Sequence, residues 1–584
     1  VVAADIETGG FNRFFDDEIL SLGFAVDPRL VYTIPEAILC DPAYRKELIK
    51  LFKAKTRWIW HNGKFDIAFL RRDGIETARV DEDTMLLSYA LDEMGGIHDL
   101  EQIAGELLDA PDYKHMVKQW VPTKKDSYRN IPKPILYEYQ SYDVSNTLQA
   151  WELLHESVMQ DDKLTKLYYE VLIPATEFLY TVEKHGMLVD KQWNKKQDKR
   201  LLKIIEKAKK VVQEHAGYAI NPNSPQQLAE LFFNELEFRR IRGNSTDKDV
   251  LRKLPDHPIV TAMKEYRKVK KQHSTYVVSV QKNMKPDGRI HCTYKIHGTR
   301  TGRLSSADPN MQNVPRDKQI RGQFIAPKGY ILMEPDYSQA ELRSLAQLSE
   351  DVELTQIYHD NTRSLHKEVA LEQYGKDYNG DQYIRAKAVN FGIVYGREAP
   401  SFADEFNVST RVGQSWIDGW FEQFPGAAKY IRLCRRAPIN TETMFTTFGR
   451  KKRHWVVVRE NLRDLMNEAA NFPHQSIASD LTLTSGISIG ISDRLRIPKR
   501  YRRKVAQAIS KYGAYVVNII HDSLLLEVPD NPETIKAVAR IVVDIMQSMA
   551  PKWGINRVPF TVDLKIGKRW GYLKEVENLQ AFLH

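Results

Sequence analysis

At 584 residues the chain is too long for one core, and ordinary domain sizes predict three or four domains. Its 42% hydrophobic and 28% charged residues are those of a globular protein, and no run of about 18 apolar residues marks a membrane span. Lys plus Arg exceed Asp plus Glu by 85 to 76, a net charge of +9, which hints at a polyanionic partner without identifying one.

The opening "VVAADIETGG" has neither a basic region nor a long apolar stretch, so it does not read as a secretory signal. Cys40, Cys292 and Cys434 are far apart with no CxxC pair, which argues against a disulfide framework and for a reducing, intracellular setting. Residues 1–150 alternate β-like runs ("VVAADIE", "EILSLGFAV", "RWIWH") with helical ones ("DEDTMLLSYALD", "LEQIAGELL"), the pattern of an α/β domain. Asp5 and Glu7 lie two apart on the first strand and therefore point to one face, where a cation relieves their repulsion. "HNGKFDIAFL" adds Asp66, and "LYEYQSYDVSNT" adds Tyr139 and Asp143, four apart on one helix face. Asp83, in "DEDTMLL", reads as a helix cap.

From about Leu164 to Val280 the chain is helical and charged. It then becomes rich in Gly, Pro, Ser and strand signals between Gly288 and Arg343. There "ILMEPDYSQAELRSL" brings Asp336 to the end of an apolar strand. A second helical block, about Asp351 to Gly486, contains "RAKAVNFGIVYG", in which Lys387, Phe391 and Tyr395 recur every four residues on one helix face. A β-rich end closes the chain, and "YVVNIIHDSLLLEVPD" reads as a tight hairpin with His521 and Asp522 at its corner. A buried Asp needs a partner, and Asp336 is the candidate to share a divalent ion with Asp522. Three basic runs, "EYRKVKKQH" (Glu265–His273), "GRKKRHW" (Gly449–Trp455) and "RIPKRYRRK" (Arg496–Lys504), suit either a solvated face or a nucleic-acid channel.

The DxE, NxxxD and YxxxD segments together resemble the DEDD family of 3′–5′ exonucleases. "GTRTGRLSSADPNMQNVP", "DYSQAELR", "KAVNFGIVYG", "NFPHQSIASD" and "HDSLLLEV" resemble, in order, the motifs of the family A DNA polymerases. The resemblance covers nearly the whole chain. It implies an α/β multidomain fold: an RNase H-like exonuclease domain (1–160), thumb (161–295), palm (296–350), fingers (351–480) and returning palm (481–584). It implies template-directed extension of a primer by dNTPs, in replication or repair, with 3′–5′ proofreading and two Mg²⁺ ions per active site, Mn²⁺ being a substitute.

By the same resemblance Asp5, Glu7, Asp66 and Asp143 hold the exonuclease ions and Tyr139 orients the water, while Asp336 and Asp522 hold the polymerase ions. Lys387 meets the triphosphate, assisted by His366. Gln339 lies in the nucleotide site, Glu341 excludes a ribose 2′-OH, Phe391 packs on the incoming nucleotide, and Tyr395 guards the templating position. Arg303, Asn310, Gln312, Gln475 and His521 contact the DNA. Three positions depart from the family pattern. Tyr383 stands where an Arg is usual, Arg385 lies too far round the helix to replace it, Ser523 replaces a carboxylate, and Asn467 replaces another Arg. The expected partners are primer-template DNA and dNTPs, with no membrane, no long processivity-factor insertion and a monomeric state, in the cytoplasm of a bacterial or phage-infected cell or in an organelle. No 5′-nuclease domain is expected ahead of residue 5. A single-subunit RNA polymerase and a nucleic-acid-binding protein with decayed sites are the alternatives.

Overall fold

The computed structural model describes residues 1–123, 126–360, 362–490 and 509–583. The basic run Arg496–Lys504 lies outside the described residues. Among the described residues no helix is long and apolar enough to cross a membrane.

The first sheet contains β1 (Val2–Thr8), β2 (Ile19–Asp27), β3 (Leu30–Pro35), β4 (Trp58–Trp60) and β5 (Glu82–Asp83), in the order β3-β2-β1-β4-β5. β1 pairs antiparallel with β2 and parallel with β4. β4 leads into α1 (Lys64–Arg72) and β5 into α2 (Thr84–Leu91), and the 27-residue α3 (Lys133–Met159) packs across the sheet and against α2. Asp83 caps α2 by accepting the Leu86 amide at 3.2 Å, and it also takes the Gly63 amide at 2.9 Å.

Helix α4 (Ile173–His185) leads to a pair of long helices, α5 (Lys191–Ala216) and α6 (Pro258–Gln272), which pack along each other. Leu201, Ile205, Ala208 and Val212 of α5 repeat at helical spacing and are buried against α6. The charged residues Lys264, Lys268, Lys270 and Lys271 of α6 remain exposed.

The second sheet gathers distant segments: β6 (Tyr330–Tyr337), β7 (Tyr515–Ile520), β8 (Ser523–Pro529), β9 (Val562–Gly567) and β10 (Lys574–Glu575). Its order is β7-β8-β6-β9-β10, antiparallel throughout. Between β6 and β7 in sequence come α7 (Ala340–Ser349), α8 (Leu365–Tyr374), α9 (Gly380–Val394) and α10 (Leu462–Gly490). The chain's end is less β-rich than its sequence implies, because α11 (Pro532–Lys552) occupies 21 of its residues. Val538, Val542, Val543, Met546 and Met549 are buried at three- and four-residue spacing. Packing on the sheet therefore outweighs the β preference of the valines.

The basic run Gly449–Trp455 is neither a solvated face nor an open channel. Arg450 pairs bidentately with Asp480 at 2.8 Å, Lys452 pairs with Glu468, and Arg453 pairs with Asp92 and Glu93. Arg453, with Arg450 Nη1 donating to the Tyr89 hydroxyl at 3.3 Å, ties the first domain to the helical block, whereas the Asp480 and Glu468 pairs lie within that block.

Candidate active sites

In the first site β1 presents Asp5 and Glu7, and α3 presents Asp143 and Tyr139. Ligand oxygens of Asp5, Glu7 and Asp143 lie within 4.8 Å of one another. Asp66, on α1, is not part of that tight trio. Its Oδ1 accepts the amide of Ile6, between the two β1 carboxylates, at 3.2 Å. Burial raises the pKa of Asp5, and the charges of Asp66 and Asp143 raise it further. Burial and the neighbouring carboxylates raise Glu7 as well. Burial takes Asp66 up to about 8 and Asp143 to about 7. Asp5 Oδ2 and Glu7 Oε1 are buried and have no hydrogen-bond partner among the described residues. Hard oxygen donors left unsatisfied in one cluster fit a divalent cation. Beside them opens a cleft of about 960 Å³ lined by Phe11, Tyr113, Lys114, Lys118 and Tyr128, with Phe11 68% exposed.

The second site forms where β6 ends. The His521–Asp522 corner joins β7 to β8 as a two-residue turn in which Ile520 pairs with Ser523, and His521 adopts φ +54°. Asp336 lies opposite Ser523 on β8 and opposite Asp563 on β9. The amide of Tyr337 donates to the carbonyl of Asp522 at 3.1 Å, so the two aspartates meet. Burial raises the pKa of Asp336 to about 7, with Asp522 the next cause; burial also raises Asp522. Asp336 Oδ1 is a buried oxygen with no hydrogen-bond partner among the described residues.

A cavity of about 760 Å³ stands over the pair. Lys387, Phe391 and Tyr395 face it as one stripe of α9 and its C-terminal cap, joined by Gln339, Glu341, His366, Arg303 and His521. Lys387 is exposed, whereas Phe391 and Tyr395 are half-buried. Glu341 is held on both sides, accepting from Arg303 Nη2 and from the Tyr395 hydroxyl. Burial, then Glu341, pushes Tyr395 up to about 12, so it stays a donor. Burial and then Lys387 lower His366 to about 4, leaving it neutral near pH 7. Trp420 Nε1 donates to Asn390 Oδ1 at 2.8 Å, so Asn390 Nδ2 must donate to His366 Nδ1 at 3.1 Å. The imidazole proton is thereby assigned to Nε2.

A smaller recess of about 200 Å³ adjoins this cavity and holds Asn310 and Gln312 beside Arg303 and His521. Gln312 Nε2 donates to the Ile519 carbonyl at 2.6 Å. Gln475 is half-buried on α10 and lines neither space.

The three departures have structural counterparts. Tyr383 lines the cavity, whereas the Arg385 guanidinium lies 5.8 Å from the Phe406 ring, so Arg385 does not take the missing cation's place. Ser523 donates to the Ile520 carbonyl at 3.0 Å and offers the site no anionic oxygen. Asn467 accepts from Arg435 Nη1 at 2.7 Å, close to Gly396. Sequence reasoning missed Arg316, Asp563, Lys565 and Glu575, which line the main cavity, and Tyr113 in the first site.

Comparison with known proteins agrees with this architecture. A family profile described as 3′-5′ exonuclease matches residues 1–158, and one described as DNA polymerase family A matches residues 191–572. DNA polymerase I of Pseudomonas aeruginosa is 28% identical over 561 residues, 92% of this chain and 59% of that protein. DNA polymerase I of Geobacillus stearothermophilus is 28% identical over 575 residues, 94% of this chain and 62% of its own length. The chain thus spans about three fifths of the relatives it matches. The polymerase domain of Pol1 from M. smegmatis, solved with DNA primer-template and dNTP, superposes with a TM-score of 0.82 at 24% identity. That match covers 98% of this chain and 95% of the other, a likeness of fold. With its motifs in order, two carboxylate centres and a matching profile over most of its length, this chain belongs to DNA polymerase family A, its N-terminal region being a 3′–5′ exonuclease domain.

Proposed function

We propose that the chain is a template-directed DNA polymerase that extends a primer 3′ end with dNTPs and proofreads it by 3′–5′ hydrolysis, inside a cell and as a monomer. The observation that carries the reading is the meeting of Asp336 and Asp522, from strands far apart in sequence, beneath the Lys387–Phe391–Tyr395 stripe. The assigned regions are 1–160 for the exonuclease, 161–295 for the thumb, 296–350 and 481–584 for the palm, and 351–480 for the fingers.

Asp336 and Asp522 would hold two Mg²⁺ ions in the polymerase site, and Asp5, Glu7, Asp66 and Asp143 two more in the exonuclease site. When bound, such ions acidify the attacking hydroxyl or water and neutralise phosphate charge. Lys387 supplies a point charge for the triphosphate. Neutral His366 adds a hydrogen bond through Nε2–H, held in that tautomer by Asn390 and Trp420. Phe391 offers an apolar face to the incoming nucleoside. Glu341, fixed by Arg303 and Tyr395, occupies space that a ribose 2′-OH would need, which favours dNTPs over rNTPs. Arg303, His521, Asn310 and Gln312 form a polar wall suited to the minor-groove acceptors of a correct pair. Gln475, outside both spaces, keeps its DNA role as an expectation of the family pattern. In the exonuclease site Tyr139, beside Asp143, orients the water.

Buried carboxylate clusters whose pKa values burial raises are costly to keep charged, so their presence opposes a decayed binding protein. Primer extension tests the reading. The wild type should extend a primed template with dNTPs in Mg²⁺ and use rNTPs poorly, and Asp336→Ala should abolish extension. Equal use of both nucleotide types would favour an RNA polymerase, and extension by Asp336→Ala would sink the assignment.

A further inference from the structure

The Asp143 carboxylate is gripped by a residue outside the exonuclease motifs. Tyr113 lies in the loop between the Leu100–Leu108 and His115–Lys118 helices, and its hydroxyl donates to Asp143 Oδ1 at 2.6 Å. The residue is only 3% exposed. Its ring stacks on Tyr142 at 5.1 Å and 16°, lies 5.5 Å from Tyr139, and packs with Val117, Ile131 and Leu136. The phenol is therefore not free to swing away.

Asp143 needs such a hold more than its neighbours do. Asp5 and Glu7 project from a strand paired with β2 at both positions, and Ile6 between them is tied to Asp66. Asp143 projects from a helix toward two like charges, and repulsion favours any rotamer that turns it outward. A buried phenol on Oδ1, with Tyr139 as a second hydrogen-bond partner of the carboxylate, opposes that rotation.

We propose that Tyr113 is a positioning residue of the exonuclease site, whose hydroxyl keeps Asp143 turned toward Asp5 and Glu7 so that the trio binds a divalent ion. The proposal rests on the reading of that trio as an ion site. Groups that orient metal-binding carboxylates typically control affinity by about 10- to 100-fold.

The test uses the full chain with Asp336→Asn and Asp522→Asn, so that Mn²⁺ binding, followed by electron paramagnetic resonance, reports the first site. Tyr113→Phe should weaken Mn²⁺ binding by about 10- to 100-fold. In the otherwise unaltered chain it should raise by a similar factor the Mg²⁺ concentration giving half-maximal hydrolysis of a single-stranded 3′ end. Hydrolysis should recover at saturating Mg²⁺, and primer extension, which reports the fold, should be unchanged. A merely structural tyrosine would lower hydrolysis at every Mg²⁺ concentration without moving the midpoint, and that result, or unchanged Mn²⁺ affinity, overturns the proposal. Asp5→Ala with Glu7→Ala is the control for the underlying reading. If that pair binds Mn²⁺ as before, the ion site itself is misassigned. If it loses binding while Tyr113→Phe does not, only the role of Tyr113 falls.

Discussion

In the absence of divalent ions, Asp336→Asn should stabilise the second sheet while abolishing extension. Burial and the Asp522 charge raise Asp336 from the ordinary 3.8 to about 7. A shift of about three units corresponds to ~4 kcal/mol between the two protonation states. The sign follows from proton linkage. Between pH 4 and 7, as an approximate window, the folded chain binds more protons at this site than the unfolded chain, so stability falls as pH rises, and the full ~4 kcal/mol is lost above about pH 7. Asn has no proton to lose, so the variant should escape this penalty. Because a chain of several domains has no single unfolding free energy, amide hydrogen exchange of β6 and β8 is the suitable readout. In EDTA at pH 8, those amides in Asp336→Asn should gain several kcal/mol of opening free energy over wild type, of the order of that ~4 kcal/mol. The gain should shrink toward zero near pH 4 and be reversed at pH 8 by Mg²⁺, which only the wild type binds well. An advantage that does not vary with pH, or a loss of protection at pH 8, would refute the idea that this carboxylate is held at a cost for the sake of an ion.

Asp5→Ala with Glu7→Ala should abolish 3′ hydrolysis and leave extension intact, as measured on one labelled primer-template; parallel loss of both activities would contradict separate sites. Wild type should use dideoxynucleotides poorly, and Phe391→Tyr should improve their incorporation, one hydrogen bond to a charged group being worth roughly 1.5–3 kcal/mol or about ten- to a hundredfold. Competition between ddNTP and dNTP in a termination assay measures it, and efficient termination by the wild type would refute it. Arg450→Met should cost about 3–5 kcal/mol by leaving Asp480 buried without its bidentate partner. Hydrogen exchange along α10 checks this, and adding Asp480→Leu should recover much of the loss.

Asp336 and Asp522 were legible because one stands near the end of an apolar strand and the other in the turn between two, and a carboxylate there needs a physical reason. The α9 stripe was legible because four-residue spacing fixes a helix face whatever surrounds it. The lining residues Asp563, Lys565 and Glu575 were not, since they enter the cavity only because β9 lies beside β6 and β10 beside β9 in the sheet, an order that the linear sequence does not show. Tyr113 sits in a short loop with no periodicity, and only the fold brings it to Asp143. The Gly449–Trp455 run misled for a related reason. Its partners Asp92, Glu93, Glu468 and Asp480 come from elsewhere in the chain, so a row of cations looked available for DNA when three of them were already paired.

The same long-range pairing connects the two candidate sites. Helix α1 carries Asp66 at the exonuclease centre, while its other residues reach α4: Arg71 pairs bidentately with Glu177, and Lys64 pairs with Glu183. Glu183 also takes Arg13 at 2.9 Å and the Tyr294 amide at 2.7 Å. Tyr294 then bonds through its hydroxyl to Asn518 on β7, the strand that ends at His521 and Asp522. Every member of this chain is buried and paired, and breaking a buried ion pair costs about 3–5 kcal/mol. A hinge through it would have to break several at once. On the proposed reading the exonuclease and polymerase centres therefore keep a fixed separation, and a mispaired primer end reaches hydrolysis by moving across this frame rather than by the frame closing on it.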